Sequence, residues 1–315
     1  MAAEGNNIVR YLYRGGEGES IPREATHVTV QNIAAVPEQA FQDHPKIEEL
    51  FCDDCVEKIE LEAFNNCPSL RRVIIPGVKE VEKWSFRSCR ALTYIQCGKL
   101  EIIGERAFHL CRSLSSINLP SIKIVDRSAF WNCTSLTSAT FGKDLKSIRG
   151  DAFNNCTPLE RITLPLKDEL MTHDNIFRFC KKLNHVDLVE GAILNDTIAA
   201  LLFEEWKNDM KQEIDTINQN LASAPAGTPR YVGGKARAIR TGIPSLLRKI
   251  ARYKAEHKRI LNEAATTLHH VLPDDIVMNN VLSFLELPSH TFDGEEKEES
   301  SDDESDDDAN LEEEE

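Results

Sequence analysis

The most reactive side chains in this sequence belong to its nine cysteines. Cys52 and Cys55 form the only Cys-x-x-Cys pair, an arrangement that serves zinc binding and thiol–disulfide exchange. A structural zinc ion takes a full tetrahedral set of protein ligands, and no second pair is spaced to complete that set. We therefore expect this pair to bind no metal.

Two glycine-rich stretches have some likeness to phosphate-binding loops. Residues 233–236 read Gly-Gly-Lys-Ala, and the alanine lacks the hydroxyl that a phosphate loop offers to magnesium. Residues 15–18 read Gly-Gly-Glu-Gly, but they precede a predicted strand, whereas a phosphate loop follows one. The HExxH and GxSxG signatures are also missing. The sequence thus predicts a protein that is not an enzyme and uses no metal or cofactor.

Most of the cysteines belong to a repeat. Six of them stand three residues after a phenylalanine that anchors each copy, and His44 takes this position in the first copy. The seven anchors, spaced by 22 to 24 residues, are Phe41, Phe64, Phe86, Phe108, Phe130, Phe153 and Phe177. Further apolar columns precede and follow the anchor, and Thr172 breaks the preceding column in the last copy.

A unit of this length cannot bury its apolar side alone, so neighbouring units must stack and share one elongated core. The apolar/polar alternation that ends each copy predicts a strand. The three-residue spacing of Ala-Phe-x-x-Cys-x-x-Leu suits a short helical turn. The predicted fold is an α/β solenoid of about seven repeats of 22 to 24 residues. Thiols at a repeated core position are expected to be buried and reduced, which favours a reducing compartment.

The consensus Ile-x-x-x-Ala-Phe-x-x-Cys-x-x-Leu-x-x-Ile-x-Leu-Pro resembles the BspA-type leucine-rich repeats of bacterial surface proteins and of protists and algae. The entry segment at 13–30 also resembles the opening of algal members. The resemblance covers roughly residues 11–190 and implies a leucine-rich-repeat fold. For function it implies only partner binding, because no catalytic residues belong to the repeat.

Helical patterns follow the repeats. Apolar residues at spacings of three and four predict amphipathic helices at 198–221 and 243–271, joined by a turn-rich connector at 223–234. Pro244 is compatible with the first turn of the second helix. We predict an antiparallel helical hairpin that caps the open end of the last repeat, and a short third helix at 274–285.

The C-terminal stretch is strongly acidic. From Asp293 to Glu315 there are fifteen acidic residues and one lysine, a charge of −14 in a chain whose net charge is −15. Such a block cannot bury a core, so we predict a disordered acidic tail. The predicted domains are a lead-in at 1–20, the solenoid at 21–190, the helical module at 191–290 and the tail at 291–315.

Exposed strand positions predict a binding surface. Phe51, Ile74 and Tyr94 occupy outward positions on successive strands and should be close neighbours on one face. Aromatic and arginine side chains are enriched in interface hot spots. The predicted partner-binding residues are Glu49, Phe51, Arg72, Ile74, Tyr94, Gln96, Arg161 and His185. The alternatives are an ordinary solvated sheet face or a surface covered by the lead-in.

A basic stretch precedes the acidic tail. Between Thr216 and Asn262 there are ten lysines and arginines and one acidic residue. The predicted basic patch comprises Arg237, Arg240, Arg248, Lys249, Arg252, Lys258 and Arg259. Nucleic acid is one possible target for it, and the acidic tail folding back onto it is another.

Residues 272–285 resemble the first helix of an F-box, the module with which some leucine-rich-repeat proteins join a ubiquitin ligase. The segment is too short for a whole box and follows the repeats, where an F-box usually precedes them. We therefore favour a non-catalytic scaffold that binds a protein partner, with nucleic-acid binding and ubiquitin-ligase adaptor as alternatives. The start of the chain is not a signal peptide and no run is apolar enough to span a membrane, so we expect a cytoplasmic or nuclear protein. No oligomeric state is predicted.

Overall fold

The structure is a computed structural model that describes residues 8–16, 19, 21–171, 173, 175–188, 204–226 and 234–269. Fifteen β-strands precede two α-helices in this part of the chain. The strands are β1 (Arg10–Tyr13), β2 (His27–Val30), β3 (Ala35–Val36), β4 (Glu49–Cys52), β5 (Lys58–Ile59), β6 (Arg72–Ile74), β7 (Glu80–Val81), β8 (Tyr94–Gln96), β9 (Ile102–Ile103), β10 (Ser116–Leu119), β11 (Ile124–Val125), β12 (Ser138–Phe141), β13 (Ser147–Ile148), β14 (Arg161–Leu164) and β15 (His185–Leu188). The helices are α1 (Glu204–Ser223) and α2 (Gly234–His269).

The strands form three parallel sheets. Sheets β1-β2-β4-β6-β8 and β10-β12-β14-β15 build one wall, and the two-residue strands β13-β11-β9-β7-β5-β3 build another. Within each sheet, every strand pairs in register with its equivalent in the next repeat, as Phe51 does with Ile74, and the pairing is interrupted between β8 and β10. Equivalent residues therefore form straight rows along the molecule. This arrangement confirms the predicted solenoid of about seven repeats followed by a helical pair.

The anchor phenylalanines form one continuous stack inside the solenoid. Successive ring centroids lie 4.7 to 5.7 Å apart, and the ring planes are inclined by 3 to 24°. No anchor ring is more than 1% exposed. Tyr13 ends the stack, with its ring edge-on at 5.1 Å from the centroid of Phe41. Because a buried phenylalanine stabilises a fold by about 1.5–3 kcal/mol, the stack is a large part of the core energy.

The segment around each anchor is a run of turns, where the sequence predicted a short helical turn. In the first six repeats, the residues two before and two after the anchor have φ between 54° and 64°, as in Trp84 and Ser88. This left-handed conformation interrupts an α-helix and directs backbone N–H groups toward the next repeat. Trp84, Phe86 and Ser88, for example, donate to carbonyl oxygens of the following repeat at 2.7 to 3.1 Å. We call this surface the turn ladder; it comprises residues 39–43, 62–66, 84–88, 106–110, 128–132 and 151–155.

The cysteine column bonds each repeat to the one before it. Cys111 Sγ donates to the carbonyl oxygen of Phe86 at 3.2 Å, and the five equivalent thiols bond to the preceding anchor at 3.0 to 3.2 Å. In the first repeat His44 takes over, with Nε2 3.0 Å from the carbonyl oxygen of Pro22. All nine cysteines are unpaired, and Cys55 alone is exposed. The burial of the column agrees with the prediction.

The helices differ from the predicted ones in their bounds. Helix α2 begins at Gly234, well before the predicted start at Ile243, because residues 235–240 are mostly strong helix formers. Pro244 consequently lies inside the helix, where it removes one backbone hydrogen bond. Arg248 Nε donates to the carbonyl oxygen of Pro244 at 3.2 Å. Helix α1 is described from Glu204 onward.

The hairpin covers the last repeat. Asn218 Oδ1 accepts a hydrogen bond from the backbone N–H of Val186 in β15 at 2.8 Å. The N–H of Phe179 donates to the carbonyl oxygen of Ala226, after α1, at 2.5 Å. Beneath these contacts lie buried apolar side chains of both helices, namely Met210, Ile217, Leu221, Ile239, Ile243 and Leu246. The helices thus occupy the capping position that the sequence analysis proposed for them.

Two ends of the repeat region differ from expectation. Strand β1 lies within the predicted lead-in and pairs with β2, because residues 10–13 alternate like the other strands. In the last repeat Met171 forms the bridge to Ile148 and is 2% exposed, so it fills the column that Thr172 was expected to break. The predicted third helix, the F-box-like segment and the acidic tail lie outside the described residues.

Candidate partner-binding face

The strand register brings six of the eight predicted site residues onto one sheet. Glu49, Arg72 and Tyr94 pair across β4, β6 and β8, and two residues further along the same strands Phe51, Ile74 and Gln96 pair in a parallel row. Side chains two residues apart on a strand point to the same face. These six residues therefore form a compact surface on the outside of the first sheet. The sequence predicted that three of them, Phe51, Ile74 and Tyr94, would lie together on one face.

This surface exposes large apolar side chains. Phe51 is 41% exposed and Tyr94 is 46% exposed. The guanidinium carbon of Arg72 lies 5.3 Å from the centroid of the Tyr94 ring, a cation–π contact that holds both side chains in place. The Tyr94 hydroxyl lies 3.4 Å from Gln96 Oε1. The aromatic ring, the cation and the amide are thus positioned together.

Sequence reasoning missed the contribution of β1. Leu12 pairs with Thr29 and Thr29 pairs with Phe51, so Leu12 extends the apolar row, and it is 40% exposed. Arg10 extends the other row through His27. The alternation of residues 10–13 carried this signal, but the polar flanks of the segment concealed it. We call Leu12, Glu49, Phe51, Arg72, Ile74, Tyr94 and Gln96 the strand-face patch.

The remaining two predicted residues do not join this patch. Arg161 and His185 lie on the second sheet, beyond the strands β10 and β12, whose outer residues are small and polar. Both are engaged by Asp187: Arg161 Nη1 lies 2.7 and 2.8 Å from the two carboxylate oxygens, and His185 Nε2 lies 3.0 Å from Oδ1. They form a separate polar cluster.

The predicted basic patch lies on α2, and part of its charge is neutralised within the hairpin. Lys249 Nζ lies 2.9 Å from Asp209 and 2.8 Å from Glu213 of α1. A hydrogen bond from Tyr253 and then one from Lys249 hold the pKa of the Asp209 carboxyl below its usual range, and a hydrogen bond from Lys249 does the same for Glu213. Lys249 therefore serves the packing of α1 on α2.

The other basic residues of α2 are divided between internal contacts and solvent. Arg259 pairs with Glu256 and Glu263 on its own helix. The guanidinium carbon of Arg252 lies 4.7 Å from the Tyr253 ring centroid. Arg240 is half-buried and interacts with another residue of the chain, whereas Arg237, Arg248 and Lys258 are exposed. The surface that α2 offers to a ligand therefore carries less unpaired positive charge than the number of its lysines and arginines suggests.

The structure separates the two cysteines of the Cys-x-x-Cys pair. Cys52 is buried in β4, where burial raises the pKa of its thiol, and Cys55 is exposed. Within the described ranges, no group of three or more His, Cys, Asp and Glu side chains could hold a metal ion. None of the described helices is long and apolar enough to cross a membrane.

Stacked parallel repeats with an exposed strand face and a helical cap define a leucine-rich-repeat protein, a class whose members are in general non-catalytic interaction proteins. The model of the BspA type leucine-rich repeat region matches six copies across residues 34–121 and 101–208, which is more than half of the chain. The chain therefore belongs to the BspA-type leucine-rich-repeat family. No curated protein matches it in sequence.

Several solved structures resemble the repeat region. A leucine-rich-repeat protein of T. pallidum is 22% identical, with a TM-score of 0.47 over 57% of this chain and 84% of that one. A leucine-rich-repeat protein of Bacteroides ovatus is 27% identical, with a TM-score of 0.39 over 50% of this chain and 38% of that one. Human 5T4, also called Wnt-activated inhibitory factor 1, is 14% identical, with a TM-score of 0.31 over 56% and 77% of the two chains. The family assignment rests on the repeat match.

Proposed function

We propose that this protein is a non-catalytic scaffold that binds a protein partner through the strand-face patch. The observation that carries the proposal is the placement of its exposed apolar side chains. Ile8, Leu12, Phe51 and Tyr94 are the large hydrophobic residues that are exposed in the described chain, and three of them lie in this patch, on strands β1, β4 and β8 of one sheet. Clustered exposed apolar side chains with a polar rim are typical of protein-interaction surfaces.

The chemistry of the patch favours a particular kind of partner. Phe51 and Leu12 offer apolar area, which calls for an aliphatic or aromatic anchor on the partner. Arg72 is held over Tyr94, and a partner carboxylate that reaches it would gain a charge-assisted hydrogen bond. The paired strands hold these side chains on a rigid backbone, so little conformational entropy is lost on binding.

A pair of matched variants tests the proposal. Affinity capture with the full chain, followed by mass spectrometry, identifies candidate partners, and the dissociation constant of each is then measured with purified proteins. Arg72→Ala with Tyr94→Ala should raise the dissociation constant of a genuine partner at least about 30-fold, the loss typical of a hot spot. Arg161→Ala with His185→Ala removes similar groups from the second sheet and should leave the affinity unchanged. Equal affinities for both double variants would refute the proposed site.

We further propose that the protein works in a reducing compartment, the cytoplasm or the nucleus. The nine cysteines, none of which is in a disulfide, support this proposal, since free thiols are typical of proteins in reducing compartments. Fractionation of cells that express the tagged full chain tests it. Recovery from the secreted fraction, with the thiols oxidised, would contradict it.

A further inference from the structure

A second surface, on the turn ladder, combines cations with aromatic rings. Trp84 and Arg106 occupy the position two residues before the anchor in the third and fourth repeats. Arg87, His109 and Trp131 occupy the position one residue after it in the third, fourth and fifth repeats. The in-register ladder places these residues as neighbours. We call these five residues the ladder patch.

The rings of the ladder patch form a neutral stacking surface. The His109 and Trp131 ring centroids lie 5.3 Å apart, with the planes inclined by 25°. Burial, together with the charges of Arg87 and Arg106, lowers the pKa of His109 to about 4, so its ring is uncharged at neutral pH. Trp84, His109 and Trp131 are each only partly buried, so solvent reaches part of each residue.

The cations around these rings are incompletely paired. Glu105 accepts Lys83 at 2.9 Å, and the Arg106 guanidinium lies 3.6 Å from the same carboxylate. No carboxylate of the described chain pairs with Arg87. Three further arginines on the same repeats are exposed, namely Arg90, Arg112 and Arg127. Residues 83–134 carry eight basic and three acidic residues, in a chain whose net charge is −15.

Several polar atoms of the patch also lack partners within the protein. Trp84 Nε1, Arg106 Nε and His109 Nδ1 are buried without a hydrogen-bond partner in the structure. Such atoms are uncommon in native proteins, where ordered water, an ion or a ligand usually satisfies them. A ligand that shifts these side chains can supply the missing acceptors.

We propose that the ladder patch binds single-stranded nucleic acid. Arg87 and the incompletely paired Arg106 attract phosphates, and the partly buried neutral rings provide a platform on which bases stack. This is the combination used by proteins that bind single strands without sequence preference. An acidic peptide would use the cations but leave the rings without a role. The site differs from the basic patch of α2, where Lys249 and Arg259 are already engaged by carboxylates.

The test measures anisotropy of labelled oligouridine RNA and oligothymidine DNA of about 12 nucleotides with the full chain, from about 50 to 200 mM salt. Arg87→Ala with Arg106→Ala should weaken binding at least about tenfold and lower the salt slope by about 1.4, the value for two phosphate contacts on a single strand. The matched control, Arg237→Ala with Arg248→Ala, removes two exposed arginines from α2 and should change neither quantity by more than a small factor.

Tryptophan fluorescence locates the contact. The chain has three tryptophans, of which two lie in the ladder patch and Trp206 lies on α1. The Trp206→Phe variant should retain quenching by the unlabelled oligonucleotide, since bases stack on Trp84 and Trp131. Trp84→Phe with Trp131→Phe leaves only Trp206 and should lose the quenching. A thermal melt of each variant shows that the phenylalanines preserve the fold.

Other outcomes overturn the proposal. If no oligonucleotide binds at the lowest salt, either to the full chain or to a full-length variant with the tail acids replaced by amides, the patch is no nucleic-acid site. If the α2 control loses affinity as much as the ladder variant, the binding belongs to the helix. If a polyglutamate peptide binds as tightly and depends on the same arginines, the patch recognises acidic protein segments.

Discussion

Asn218 Oδ1 in helix α1 accepts a hydrogen bond from the backbone N–H of Val186 in the last strand at 2.8 Å. Val186 lies on the strand that no further repeat covers, so its N–H would otherwise have no β-sheet partner. One amide side chain therefore joins the cap to the solenoid. The position of α1 across the strand edge follows from this bond and from the buried face beneath it.

The first prediction concerns this bond. Asn218→Ala removes the acceptor and should reduce the free energy of unfolding by about 1–3 kcal/mol, because the half-buried Val186 N–H is left without a partner. Asn220→Ala, on an exposed position of the same helix, is the control and should change stability by less than about 0.5 kcal/mol. Denaturant titration gives both values. Similar losses for the two variants would show that the bond contributes nothing specific.

Thiol reactivity gives the second prediction. Only Cys55 is exposed, and burial raises the pKa of Cys52 and Cys111 well above the ordinary range and that of Cys97 to about 12. The thiolate is the reactive form, so one cysteine should react with an aromatic disulfide reagent in the native protein at pH 8 and all nine after unfolding. The Cys55→Ser variant should show no fast phase. Rapid reaction of several thiols in that variant would contradict the closed core.

The repeat columns were predictable because each core position takes the same type of residue in every repeat. Phe86 and Cys111 recur with the same spacing as their equivalents, and the in-register stack needs only that spacing. The centre of the strand-face patch was predictable for the same reason, since Phe51 and Ile74 occupy equivalent positions on adjacent strands. In these cases the local pattern and the stacking specify the same neighbours.

Other features depend on information that the repeat does not carry. The three-residue spacing around each anchor fits a helical turn and a run of separate turns equally well. The positive φ of residues such as Trp84 decides for separate turns. Arg161 was predicted among the partner-binding residues from its repeat column, but it lies on the second sheet, where Asp187 of the neighbouring strand engages it. The ladder patch escaped notice because its two columns vary in chemistry from repeat to repeat.

The third prediction concerns the thiol bonds between repeats. Cys111→Ala removes the Sγ–H donor to the carbonyl oxygen of Phe86 and leaves a small void beside the stack. Stability should fall by about 1–3 kcal/mol through the lost bond and the lost packing. Cys55→Ala, at the exposed cysteine, should be neutral to within about 0.5 kcal/mol. Thermal and denaturant unfolding decide, and a neutral Cys111→Ala would mean that the column only fills space.

The last prediction is a pH dependence that arises from His109. The folded state lowers its pKa from 6.5 to about 4, chiefly through burial and then through Arg87 and Arg106. Between these values the unfolded chain binds a proton that the folded chain does not, so acidification favours unfolding. This contribution is absent above pH 6.5, grows by up to about 1.4 kcal/mol per pH unit below it, and becomes constant below pH 4.

The variant His109→Gln removes the titrating group and should lose less stability than the wild type when the pH falls from 7 to about 4.5, whatever its stability at pH 7. Asn220→Ala removes no titrating group from an exposed position, so it is the control and should keep the wild-type slope. Carboxyl groups that titrate in the same range affect all three proteins alike, so the difference between the curves isolates His109. Parallel curves for wild type and His109→Gln would mean that folding does not lower the pKa of the ring, and the burial of the ring argued for the ladder patch would then be wrong as well.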